Sequence, residues 1–264
     1  LFGLAIWFVF QIRGILLMLF VAVILMSALN PAVDKLQKWK LPRGVAIFII
    51  YIILWGAIGA VVAAVVPPLV DQTRKLVLLL PEAVGRVEFF SANQQAITNQ
   101  LLTRLGAFPE NLLKITVGIF GNLLTVLTTL VIAFYLLLER KDLDKYLALL
   151  LGKEKPAKVS KIINEIEKRL GGWVRGELVL MIAVGTFTYI GLTILGVDIA
   201  LPLALIAGVL EIVPNIGPII SAVPAVLIAL TIHPFTALAT AALYFLVQIL
   251  ENNLLVPKVM QKAV

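Results

Sequence analysis

Glu211 opens the octapeptide Glu-Ile-Val-Pro-Asn-Ile-Gly-Pro, residues 211–218, inside an apolar run from Ile199 to Ile232. An ionisable side chain in hydrocarbon costs about 2.5–3.5 kcal/mol on insertion scales, so a carboxylate there is a functional candidate by default. It could bind a monovalent cation or take up a proton; the alternative is a carboxylate solvated at a turn. Asn215 and the carbonyls around Pro214 could contact a polar solute or ion, or Asn215 could serve turn chemistry alone. Glu251, Asn252 and Asn253 end the last apolar run. They either mark an interface or face Glu211, if the two segments pack. Asp198, before Ile199 and Pro202, reads as a helix N-cap, and His233 as part of an exterior turn before Pro234.

Other chemistry is sparse. The chain has no cysteine and one histidine, which excludes disulfides, thiolate ligands and multi-histidine metal centres. There is no HExxH, GxSxG or P-loop pattern, and an aspartyl protease would lack its second carboxylate. No catalytic residue, metal or cofactor is expected, and the chain is read as a non-enzyme.

The elements that must position Glu211 are hydrophobic. Of 264 residues, 61% are hydrophobic, with mean hydropathy +1.05, against about 45–50% apolar in a soluble domain. Several runs reach the ~18–20 residues that cross a bilayer as a helix. They do not alternate as barrel strands do. The fold class is therefore all-α: a polytopic helical membrane protein. The net charge of +7 reflects basic loops of a membrane protein, not a nucleic-acid footprint. Leu1–Phe10 is apolar without a basic leader, unlike a signal peptide, and the sequence is expected to be part of a longer chain.

Residues 1–66 read as N-terminal transmembrane spans: the tail of one before Arg13, a second from Ile15 to Leu29 ended by Asn30-Pro31, and a third closed by Pro67-Pro68. Residues 67–115 read as extracytoplasmic amphipathic helices at the interface, with nearly balanced charge from 69 to 115, five Lys/Arg to four Asp/Glu. Residues 116–138 form another span, and 139–176 a cytoplasmic amphipathic segment. Gly172 and Gly176 are a small-xxx-small pair that permits close helix packing. Residues 177–264 form a transmembrane region holding the broken segment 199–232.

The loops 34–43 and 139–175 carry 14 of the 22 Lys/Arg and are placed in the cytoplasm. The broken segment has 34 residues, between the ~20 of one span and the ~40 of two. Pro214, Gly217 and Pro218 cannot all sit in a continuous helix, and Pro224 follows. A re-entrant helical hairpin fits, entering from outside and turning at Pro214–Pro218. Broken helices in membranes tend to line solute pathways, which points to transport of a small polar solute or a monovalent cation or proton, with the lipid bilayer as surroundings.

Glu211 to Pro218, followed by Pro224, resembles the signature hairpin of the autoinducer-2 exporter family. Leu29-Asn30-Pro31, Phe134 to Arg140, Gly172 to Glu177, Gln248 to Asn253 and Pro257 to Met260 are similar to that family in the same order, over nearly the whole chain. The family usually has a further span after the Pro-Lys-Val-Met stretch, which is missing here. The resemblance implies a multi-span inner-membrane protein, a homo-oligomer, and export of autoinducer-2 or exchange of Na⁺ for H⁺; a Na⁺(Li⁺)/H⁺ antiporter would use Glu211, with Glu251 nearby. A channel or scaffold without coupled transport stays open as a third reading.

Overall fold

The computed structural model describes residues 2–85, 123–151 and 156–263. Every regular element among the described residues is helical. In chain order they are α1 (Phe2–Gln37), α2 (Arg43–Gly85), α3 (Leu123–Glu139), a 3₁₀ turn (Arg140–Asp142), α4 (Leu143–Leu151), α5 (Pro156–Ile194), α6 (Ala200–Leu210), α7 (Ile216–Ile232), α8 (Pro234–Leu250), a π-turn (Glu251–Leu255) and α9 (Val256–Ala263). Four stretches among the described residues are long and apolar enough to cross a membrane: Phe10–Gln37, Arg43–Pro68, Lys158–Ile194 and Pro234–Gln261. The chain is a polytopic helical membrane protein.

Two compact units emerge. The first comprises Leu1–Gly56, Ile119–Arg175 and Lys262–Val264; the second comprises Ala57–Gly118 and Gly176–Gln261.

In the first unit, α1 packs on α3 and the start of α2 through buried Met26, Val33, Ile47, Ile50 and Leu137. The expected break at Asn30-Pro31 is not there: α1 runs through Pro31 to Gln37, and it holds Arg13 as well, so the two expected spans are one helix. Interior proline removes an N–H and crowds the preceding turn. Tertiary contacts compensate. Val33, just past the proline, is buried, and Arg43 clamps both sides of it. The guanidinium donates to Asn30 Oδ1 at 2.6 Å, Asp34 Oδ1 at 2.9 Å and Gln37 Oε1 at 2.8 Å, and Nε donates to the Leu137 carbonyl at 2.6 Å. Asn30, Asp34 and Gln37 are spaced i, i+4, i+7 and so share one helix face. The helix ends instead at Lys38–Lys40, where Lys40 takes φ 65°.

Pro67-Pro68 does not stop a helix either, because α2 continues to Gly85. The apolar stretch does end there, at Pro68. The remainder of the expected interfacial helices, from residue 86 on, lies outside the described residues. Nor do the glycines at 171, 172 and 176 interrupt α5, which joins the basic amphipathic segment to the following span. A side chain at Gly171 would put its Cβ 2.2 Å from the Ser27 carbonyl oxygen, so this glycine lets α5 touch α1.

The second unit is built on α6, α7, α8 and the C-terminal part of α5. Leu192, Leu203, Ala207, Ala225, Ala229, Ala237 and Val247 form its apolar core. Small residues dominate the facing positions and bring backbones close.

Candidate functional site

The broken segment is a pair of helices joined by five residues. α6 ends at Leu210 and α7 begins at Ile216. The turn between them satisfies its own backbone: Val213 N–H donates to the Leu210 carbonyl at 3.0 Å and Gly217 N–H to the Val213 carbonyl at 2.9 Å. Ile216 N–H reaches the Pro214 carbonyl at 2.9 Å across Asn215, whose φ is 67° and ψ −38°. That is a γ-turn of positive central φ, a rare and strained conformation. Internal hydrogen bonding is what a non-helical backbone within a membrane requires. Gly217 and Pro218 belong to the first turn of α7, where a missing N–H leaves no ladder bond unmade. A Cβ at Gly217 would lie 1.9 Å from the Leu210 carbonyl oxygen, so only glycine lets α7 start directly against the end of α6. Pro224 lies inside α7.

This close turn fixes Glu211 as the C-cap residue just past the end of α6, and it is 1% exposed. A second close approach aims it. Gly208, one turn before Glu211, lies against α5, where an added Cβ would be 2.6 Å from the Met181 carbonyl oxygen. Met181 is one turn after Glu177, so the contact brings Glu177 and Glu211 to adjacent levels. Glu177 is 5% exposed.

The third carboxylate comes from α8. Glu251 is 2% exposed and opens the π-turn. Pro257 explains the wide turn: its ring conflicts with the carbonyl four residues earlier, and the preceding turn opens to an i→i−5 bond from Val256 N–H to the Glu251 carbonyl. Such π-turns recur at functional sites. Gln248 Nε2 donates to Glu251 Oε2 at 2.8 Å. The Glu211 and Glu251 carboxylates come within hydrogen-bonding reach of each other, the charge of Glu177 is felt at Glu211, and that of Glu251 is felt at Glu177. Neither oxygen of Glu211, nor Oε1 of Glu177, receives a hydrogen bond from a described donor. Along the inner face of α8, Tyr244 and Thr240 precede Glu251 at helical spacing, both buried with hydroxyls that find no partner among the described residues. Thr188, three turns beyond Glu177 on α5, is buried in the same way.

The sequence profile of AI-2E family transporters matches residues 1–264. The chain belongs to the AI-2E transporter family. Its relatives include YueF of Bacillus subtilis (strain 168), 27% identical over 97% of this chain and 76% of the relative. YrrI of the same organism is 26% identical over 93% of this chain and 74% of the relative. The AI-2 transport protein TqsA of Escherichia coli (strain K12) is 28% identical over 93% of this chain and 72% of TqsA. Similarity of this extent to transport proteins makes this AI-2E family member a membrane transporter.

The residues singled out in its sequence separate into groups. Glu211 and Glu251 come together. Asn215 and Pro214 are exposed at the hairpin tip, Gly217 and Pro218 are buried beside it, and Asn252 is exposed. Gly172 and Gly176 are both buried. Asp198 is exposed and does not cap α6: its N-cap is Ile199, without a side-chain bond. His233 does cap, its Nδ1 accepting from Phe235 N–H at 3.1 Å. Glu177, Gly208 and the buried hydroxyls were not anticipated. Glu177 carried a usable signal, an acid at the edge of the apolar run that starts at Leu178. The hydroxyls carried none, since Thr and Tyr are ordinary in membrane helices.

Proposed function

We propose that this transporter exports a small polar solute across the cytoplasmic membrane, with the Glu211–Glu251 pair coupling that movement to a proton or monovalent cation. One observation carries the reading: two buried carboxylates face each other, and no described donor serves either oxygen of Glu211. Anions in contact away from water repel unless a proton or cation stands between them. The pair is thus a place where such a charge enters and leaves.

The surroundings support a pathway. α6 has 11 residues and so reaches about 16 Å, little over half the ~30 Å hydrocarbon core. A helix that short suits a hairpin re-entrant from outside, with the basic segments 34–43 and 139–175 in the cytoplasm. Tyr244 and Thr240 continue the polar lining away from Glu251, and unpartnered buried hydroxyls call for water or solute. The strained Asn215 turn suits an element with a second conformation. A homo-oligomer is part of this proposal.

TqsA is named for AI-2 transport, which makes an autoinducer-2-like solute the first substrate to test. Exchange of Na⁺ or Li⁺ for H⁺ is the second reading. The preponderance of acceptor oxygens over donors at the pair favours it, because hard cations take oxygen ligands.

The test is flux in proteoliposomes loaded with a pH-sensitive dye, for wild type, Glu211→Gln and Glu251→Gln. Loss of coupled proton movement in both variants is the expected result. Wild-type coupled fluxes in both would overturn the assignment of coupling to this pair, and solute flux without proton movement in wild type itself would leave an uncoupled channel as the remaining description.

A further inference from the structure

A feature of the first unit stands apart from the carboxylate pair. The loop between α1 and α2 carries Lys38, Trp39 and Lys40 and joins two membrane-length stretches, Phe10–Gln37 and Arg43–Pro68. Trp39 is 77% exposed. A tryptophan held outward among lysines where two spans end marks headgroup depth, since its ring is apolar and its N–H needs a polar partner.

Beside this loop lies a cleft of about 490 Å³, lined by Lys38, Arg43, Arg140 and Lys141 together with Asn30 and Asp34. Its cations fall into two kinds. Arg43 is 9% exposed and paired with Asp34 at 2.9 Å, and Arg140 is paired with Glu167 at 2.6 Å. These guanidiniums are fixed and compensated; they form walls. Lys38 and Lys141 are exposed, and among the described residues no carboxylate pairs with either. Two uncompensated ammonium groups therefore converge on a preformed polar cleft.

We propose that this cleft binds the phosphate of an anionic phospholipid headgroup, with Lys38 and Lys141 as its direct ligands. Ammonium groups take phosphate oxygens as point charges without a fixed fork geometry. Basic clefts beside membrane helices are suited to lipid headgroups. A free phosphate ion offers the same chemistry. The lipid is favoured because the cleft adjoins the ends of two spans and an outward tryptophan, where headgroups are already concentrated.

The experiment offers the purified protein equimolar phosphatidylglycerol and phosphatidylcholine in mixed micelles and reads the lipid retained by native mass spectrometry. Wild type is expected to retain phosphatidylglycerol preferentially. Each lysine near an anionic surface contributes about five-fold in binding, so Lys38→Gln with Lys141→Gln should cut the preference by up to ~25-fold. Both side chains are exposed, and an unchanged thermal midpoint shows that the double variant folds. Lys161→Gln, on an exposed part of α5 outside the cleft, should leave the preference intact. Equal retention of the two lipids by wild type overturns the proposal. So does an equal loss in Lys161→Gln, which would mean diffuse attraction. Displacement of phosphatidylglycerol by inorganic phosphate, with phosphate itself retained, would make this a site for the free ion and also overturn it.

Discussion

Glu211→Gln should make this protein more stable and less active, and the two effects have one cause. Glu211 and Glu251 are buried acceptors in reach of each other, and no described donor serves either Glu211 oxygen. Glutamine keeps the shape, removes one charge and supplies an amide N–H₂ that can donate to Glu251. A hydrogen bond to a charged group contributes about 1.5–3 kcal/mol. For a chain of this size that raises the thermal midpoint by roughly 3–12 °C. Glu211→Ala should act in the opposite direction, since it leaves a cavity and supplies no donor to Glu251. The same 1.5–3 kcal/mol, lost from proton or cation binding, is about 10–150-fold in affinity. Coupled proton flux in dye-loaded proteoliposomes should therefore fall by at least ~10-fold. Intrinsic fluorescence against temperature and vesicle flux measure the two sides independently. A Glu211→Gln protein that is both less stable than wild type and fully active would refute the reasoning. It would mean that Glu211 accepts bonds from donors needed for folding and couples nothing.

Three further outcomes follow from the backbone geometry and the arginine clamp. Gly217→Ala should lower the thermal midpoint, because its Cβ would sit 1.9 Å from the Leu210 carbonyl and overpacking of this kind costs about 1–3 kcal/mol or more; an unchanged midpoint would mean the α6–α7 turn yields freely. Asn215→Gly should raise the midpoint slightly, since relief of the positive-φ strain, about 1–3 kcal/mol, exceeds the entropy that glycine adds to the unfolded chain, whereas Asn215→Ala should not. Arg43→Lys should destabilise the first unit by about 2–4 kcal/mol, because an ammonium cannot reproduce four directed bonds to Asn30, Asp34, Gln37 and Leu137. Hydrogen exchange should then rise in α1 beyond Pro31 more than before it.

The sequence by itself determined the membrane class, the apolar stretches and the place of the break. These depend on local quantities: hydropathy over about twenty residues, and prolines and glycine that a helix rejects. It also determined which segments are basic. It misjudged prolines 31 and 67–68 as helix ends, because the cost of an interior proline is local while its compensation is not. Arg43, beyond the helix it steadies, supplies part of that compensation. Only the tertiary structure decided which acids meet. Glu177, Glu211 and Glu251 are 34 and 40 residues apart in sequence. Their meeting rests on backbone approaches permitted by Gly208 and Gly217 and on a turn widened ahead of Pro257. A carboxylate's chemistry is set by what stands within a few ångströms of it. In this chain those neighbours come from three helices, so the pairing of Glu211 with Glu251, one of two alternatives open in the sequence, was decided only when the helices were packed.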